Sequence, residues 1–258
     1  MVAPVPVYNW SGFYIGLNAG GAWSDPRTGY SNPSTAPGAW CPPGGPVPVP
    51  PNPFDLSDCS GRGSSFIGGG QLGYNWQTGS VVYGLEADGA WQHLVNRSRI
   101  VFGNGIGGPF GTVAGDTAYF RSEQNALGTF RGRLGYAPSN WLLYVTGGLA
   151  VGGIKNQTVE VIFPSTTCTV AVSCRVGTNN STQVGWTVGA GAEFMLNQNW
   201  SIGAEYLYVD LGRTTINFPT QTLAIAQFFA SSTTFDNREH VTRLKVNYHF
   251  GGPLVAKY

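Results

Sequence analysis

The side chains best able to do chemistry recur at a spacing of two. Glu86 and Asp88 are two apart, as are Arg131 and Arg133, and Arg243 and Lys245; Glu193 and Glu205 add two further acids. A close pair of carboxyls is the raw material of acid–base catalysis, because one can hold a proton that the other has lost. His93, His240 and His249 are candidate bases, and His93 or His240 a candidate haem ligand. Glu239 adjoins His240 and Ser98 lies near His93, so a hydrolase site would start from these pairs, but no recognisable signature joins them. Cys41 and Cys59 bracket one Pro-rich segment, and Cys168 and Cys174 share another. Their spacings are not those of common zinc motifs and no His is near either pair. Two local pairs read better as disulfides formed in an oxidising compartment. The Gly-rich runs at 68–70 and 103–108 precede no helix that could present amides to phosphate. No catalytic residue, metal or cofactor is expected.

What these residues do depends on the elements that carry them, and a spacing of two places both members on one face of a strand. Of 258 residues, 38 are Gly, 13% are aromatic and only 10% are charged. Soluble domains carry about a quarter charged residues, so this balance suits a sheet whose outer face avoids water. A net charge of +1 gives no electrostatic case for nucleic acid. No apolar run reaches the roughly 18 residues of a membrane helix. Met1 to Tyr8 lacks a basic segment followed by an apolar core, so no secretory leader is read there; the cysteines favour export.

Eight alternating segments follow one another, near residues 10–19, 66–76, 81–94, 120–136, 141–153, 183–196, 200–209 and 239–250. Tight turns at 77–80, 138–140 and 197–199 alternate with four long loops. In the second segment Phe66, Leu72, Tyr74 and Trp76 oppose Gln71 and Asn75. In the third, Tyr83, Leu85 and Trp91 oppose Glu86, Asp88 and Gln92; in the fourth, Phe130, Leu134 and Tyr136 oppose Arg131 and Arg133. The sixth, seventh and eighth set Glu193, Glu205, and Arg243 with Lys245 against apolar neighbours in the same way. The polar face thus holds four acids and four bases. That composition predicts an all-β fold, an eight-stranded antiparallel transmembrane barrel with three short periplasmic turns and four long extracellular loops. Its narrow interior would be filled by paired charges. Trp10, Trp76, Tyr136, Trp141, Trp200 and Phe250 fall at strand ends on the turn side and are expected to form an interface girdle. Residues 1–9 read as a Pro-limited periplasmic arm, 10–250 as the barrel and 251–258 as a tail.

Four segments also carry a resemblance. Residues 10–16 (Trp10-Ser11-Gly12-Phe13-Tyr14-Ile15-Gly16), 131–136, 143–150 and Asn247-Tyr248-His249-Phe250 are similar to the opening, central and closing strands of small alphaproteobacterial surface barrels. These are the outer-membrane immunogenic proteins of the 25/31-kilodalton type, distantly similar to the OmpA membrane domain. The resemblance spans the strands of the whole chain but none of its loops. It implies an outer-membrane location in a Gram-negative cell, a surface antigen, and insertion by the barrel-assembly machinery that reads a terminal aromatic such as Phe250 or Tyr258.

The leading functional expectation is a structural barrel, plugged by its charges, whose stapled loops contact lipopolysaccharide, neighbouring proteins or a host surface. The alternative is a narrow diffusion channel along the same charges; haem binding at His93 or His240, or lipid modification, ranks lower. Peptidoglycan contact through the N-terminal arm, and packing against other barrels at Tyr206 and Tyr208, are further partner expectations.

Overall fold

The computed structural model describes residues 8–25, 27–31, 39–40, 54–55, 60–61, 63–102, 117–161, 174–222, 227–228 and 230–250. Eight long strands dominate: β1 (Gly12–Ser24), β2 (Ser64–Thr78), β3 (Val81–Phe102), β4 (Thr117–Tyr136), β5 (Trp141–Val161), β6 (Cys174–Met195), β7 (Trp200–Phe218) and β8 (Ser231–His249). Each pairs antiparallel with the next, and β1 also pairs with β8, from Tyr14 opposite His249 to Ser24 opposite Glu239. The eight long strands therefore close into a barrel. Short strands at Arg27–Ser31 and Phe54–Asp55 extend it beside the outer end of β8, and Ala39–Trp40 and Ser60–Gly61 pair with the outer end of β3.

The turns on one side follow local chemistry. Gly79 takes φ +60°, which the two-residue link between β2 and β3 needs and which a side chain would resist. Between β6 and β7, the Asn197 carboxamide accepts hydrogen bonds from the Asn199 and Trp200 amides at 2.9 and 3.0 Å.

Outward from these turns, exposed large apolar side chains cover the wall; Leu17, Phe66 and Trp91 are each about 70% exposed. Such a surface belongs in lipid. Roughly 9–11 tilted residues cross the hydrocarbon, yet β3, β4, β5 and β6 have 20 to 22. The strands run well past the points where alternation ends in the sequence: β3 continues to Phe102 rather than 94, β7 to Phe218 rather than 209, β6 begins at Cys174 rather than 183, and β8 at Ser231 rather than 239. Beyond the lipid the outward positions meet water, so the apolar period disappears while backbone pairing continues. β-Bulges mark this transition at Trp91/Leu94, Gln124/Ala126 and Asp210/Arg213, the last with Gly212 at φ +79°.

Candidate functional site

The inward positions of the strands read in layers from the turn side outward. On β3 they run Val82, Glu86, Asp88, Ala90, Gln92 and Leu94. The first layer is apolar and joins Trp10, Val82, Ala137, Leu142, Tyr144 and Met195, with Tyr8 packed against it. The next layer holds the charges. Beyond it a second apolar layer gathers residues from seven strands, including Ala22, Ile67, Ala90, Leu127, Leu207 and Val241.

All eight charged residues singled out in the sequence meet in the middle layer, with side chains at most 2% exposed. The alternation of five strands aims them at one point. Arg131 on β4 binds Glu86 and, at 2.9 Å, Asp88 on β3; its Nη1 lies 3.1 Å from Glu205 on β7 without the angle for a hydrogen bond. Arg243 on β8 reaches Asp88 at 2.8 Å and Glu205 at 2.7 Å. Lys245 lies 2.8 Å from Glu86, and Arg133 lies 3.0 Å from Glu193 on β6. Four acids against four bases leave the cluster neutral, and neutrality is what a buried ion cluster needs to offset desolvation. Glu86 and Asp88, the nearest thing to a catalytic carboxyl pair, are thus both engaged by cations.

Two tyrosines complete the network that charge patterning alone did not reveal. Tyr14 donates to Glu86 at 2.7 Å and accepts from Arg133 at 2.9 Å; Tyr144 donates to Glu205 at 3.0 Å beneath the Arg133 guanidinium, 4.2 Å from its ring centre. The signal was parity: each phenol sits on the polar face of its strand, two or four residues from Gly16, Asn18, Thr146 and Gly148. Gly73 and Gly191 make the space, since a Cβ at either would collide with the phenol of Tyr14 or Tyr144. Asn247 donates to Glu193 at 3.1 Å, and Ser201 bridges Glu193 and His249.

Past the second apolar layer, Glu239 accepts from Gln92 and Gln124, each at 2.8 Å. Nearer the outer mouth, Glu160 and Arg175 pair at 2.7 Å, with Ser231 joined to both. Alternation in the sequence stops short of these last three, which the extended β5, β6 and β8 carry.

The girdle is corrected at one position. Trp76, Tyr136, Trp141, Trp200 and Phe250 face outward, 41 to 56% exposed, but Trp10 is fully buried. Trp10 precedes the start of β1 at Gly12, whose φ is +127°, so strand parity does not extend to it; the chain turns into the barrel mouth, where the Trp10 amide donates to Gln77 and its ring packs edge-on against His249.

The histidines are kept apart from their sequence neighbours. His93 and His240 face outward, bonded to Asn125 at 3.1 Å and Tyr206 at 2.6 Å, whereas Ser98 and Glu239 are buried inside. Alternation thus puts the wall between each His and the group a hydrolase would have used. Among the described residues no cluster of three His, Cys, Asp or Glu could hold a metal. Cys174 is disulfide-bonded. Cys41, Cys59 and Cys168 lie outside the described residues, as do residues 1–7 of the expected arm and the tail 251–258.

Residues 1–250 match the outer membrane protein β-barrel domain family. The 31 kDa outer-membrane immunogenic protein of Brucella melitensis is 32% identical over 96% of this chain and 87% of its own length. The 22 kDa outer membrane protein of Rhizobium leguminosarum bv. viciae is 31% identical over 61% of this chain and 59% of its own. Among solved structures, neisserial surface protein A overlaps 93% of this chain and 98% of its own at 12% identity, with a TM-score of 0.37. The closed sheet, its lipid-facing wall and the family match agree: the chain belongs to the outer membrane protein β-barrel family, as an outer-membrane surface protein related to alphaproteobacterial immunogenic proteins.

Proposed function

We propose that this protein is a structural, non-conducting barrel whose work is done at the cell surface. A lumen closed by its own side chains would anchor the outer strand ends and loops for contact with lipopolysaccharide, neighbouring envelope proteins or host surfaces. The observation that carries this is the order of layers. The ion cluster lies between two apolar layers, and a charged ring alone could be wet, whereas water and ions crossing an apolar layer lose their hydrogen-bond partners. In addition, the cluster satisfies its own charges, so no mobile counter-ion is needed. The Cys174 disulfide suits an exported surface protein, and a bond to Cys168 would staple the loop between β5 and β6.

Planar-bilayer recording on the refolded, heat-modifiable protein tests this. Silence is expected. Reproducible single-channel steps that change in Arg131→Gln or Glu86→Gln would establish a pore along the cluster and sink the closed-lumen reading.

A further inference from the structure

Past the apolar band, the outer wall of β3, β4 and β5 is basic. The register sets Lys155 beside Glu123, Arg97 beside Arg121, and Arg99 beside Tyr119. The alternating positions Ser98, Phe120 and Thr158 are buried inside, so these six side chains point outward. Four are cationic and one is acidic. Arg121 pairs with Glu123, but Arg97, Arg99 and Lys155 have no hydrogen bond or ion pair among the described residues. Arg97 and Arg121 stand directly opposite each other, an arrangement that costs stability in a sheet. The Arg121 Nε is also buried without an acceptor. The segments that continue from these strands, 103–116 and 162–173, contribute one acid, Asp116.

At similar height across the barrel, β7 and β8 neutralise themselves: Arg213 pairs with Asp236 at 2.7 Å and Arg238 with Asp210 at 3.0 Å. Among the described residues the excess of positive charge is therefore local to one face, and an external anion is the partner that would relieve it. Position says which anion. Lys155 lies four residues past Val151, and Arg97 and Arg99 lie six and eight past Trp91, the outermost exposed large apolar side chains among those described on β5 and β3. A tilted strand climbs roughly 2.3 Å per residue, so the cations stand about 10–20 Å above Val151 and Trp91, at the height of the exposed Tyr119 ring. In the outer leaflet that zone is filled by the phosphorylated and acidic sugars of lipopolysaccharide, and guanidinium forks match phosphoryl and carboxylate oxygens in pairs.

We propose that Arg97, Arg99, Arg121 and Lys155 form a binding face for the anionic sugar headgroup of lipopolysaccharide. This narrows the surface contact proposed above to one partner and one side of the barrel.

The test uses the full chain in phosphatidylcholine nanodiscs doped with a bisphosphoryl lipid A bearing two acidic keto sugars. Native mass spectrometry counts the bound lipid across a titration, and heat-modifiable migration checks that each variant is folded. Arg97→Gln/Arg99→Gln/Lys155→Gln is expected to weaken binding by between about tenfold and about a hundredfold. Arg213→Gln/Arg238→Gln, on the opposite wall, should stay within about twofold of wild type. Should the triple variant fold poorly, the single variants at exposed Arg97 and Arg99 carry the comparison, each expected to lose about fivefold. Unchanged affinity, or an equal loss in the opposite-wall control, overturns the proposal. So does tighter, face-dependent binding of heparin than of the lipid, which would assign the face to a soluble polyanion. A conducting wild-type barrel would remove the closed-lumen reading yet leave this comparison intact.

Discussion

Removing Glu86 should be far worse than removing Glu86 together with Lys245. The Glu86 carboxylate lies 2.8 Å from Lys245, binds Arg131 and accepts from Tyr14 at 2.7 Å. After Glu86→Gln, Arg131 keeps Asp88 at 2.9 Å and Arg133 keeps Glu193 at 3.0 Å. Lys245 keeps only Glu205 at 3.6 Å and Glu193 at 3.9 Å, so its ammonium is the charge left stranded. An uncompensated buried ion costs about 3–5 kcal/mol. Lys245→Met alone leaves four acids facing three bases and should cost a similar amount. The double variant restores neutrality at three against three and fills the lysine's space with an apolar chain, so about 1–2 kcal/mol is expected. The coupling energy is then several kcal/mol, well above the ~0.5 kcal/mol within which independent sites add. Urea unfolding of the barrel in phosphatidylcholine vesicles, followed by tryptophan fluorescence and heat-modifiable migration, measures each corner of the cycle. Additive losses would show that Lys245 and Glu86 do not share a compensated buried cluster, and the account of the lumen would fail.

Two further outcomes follow from burial and pairing. Trp10→Ala should destabilise the barrel by about 3–5 kcal/mol by opening a cavity in the turn-side apolar layer, whereas Trp200→Ala, on the lipid-facing girdle, should cost clearly less; equal losses in the same unfolding assay would contradict the inward placement of Trp10. Amide hydrogen exchange on the vesicle-embedded protein should show residues 154–160 and 175–182 protected to a degree comparable with 142–150, because they are paired strand above the membrane; exchange within seconds would mean that this part of the wall is loop.

Where two solvents alternate along a strand, the sequence makes the fold legible. Lipid outside and a polar interior impose a period of two, and Glu86, Asp88, Arg131, Arg133, Arg243 and Lys245 announce their shared face by it. The equality of acids and bases on that face was likewise readable, because a neutral interior is a condition on composition. Three things waited for the tertiary structure. The outer ends of β3 and of β5 to β8 carry no alternating apolar signature, so their strand character lies in backbone pairing alone. Trp10 sits outside the strand whose parity would have placed it, and only the closure of the barrel mouth brings it to His249. The facing of Arg97 and Arg121 depends on the register between β3 and β4 after a bulge, a pairing between residues distant along the chain that no local pattern specifies. Composition and period decide which residues face inward together; only the closed, staggered sheet decides which of them touch.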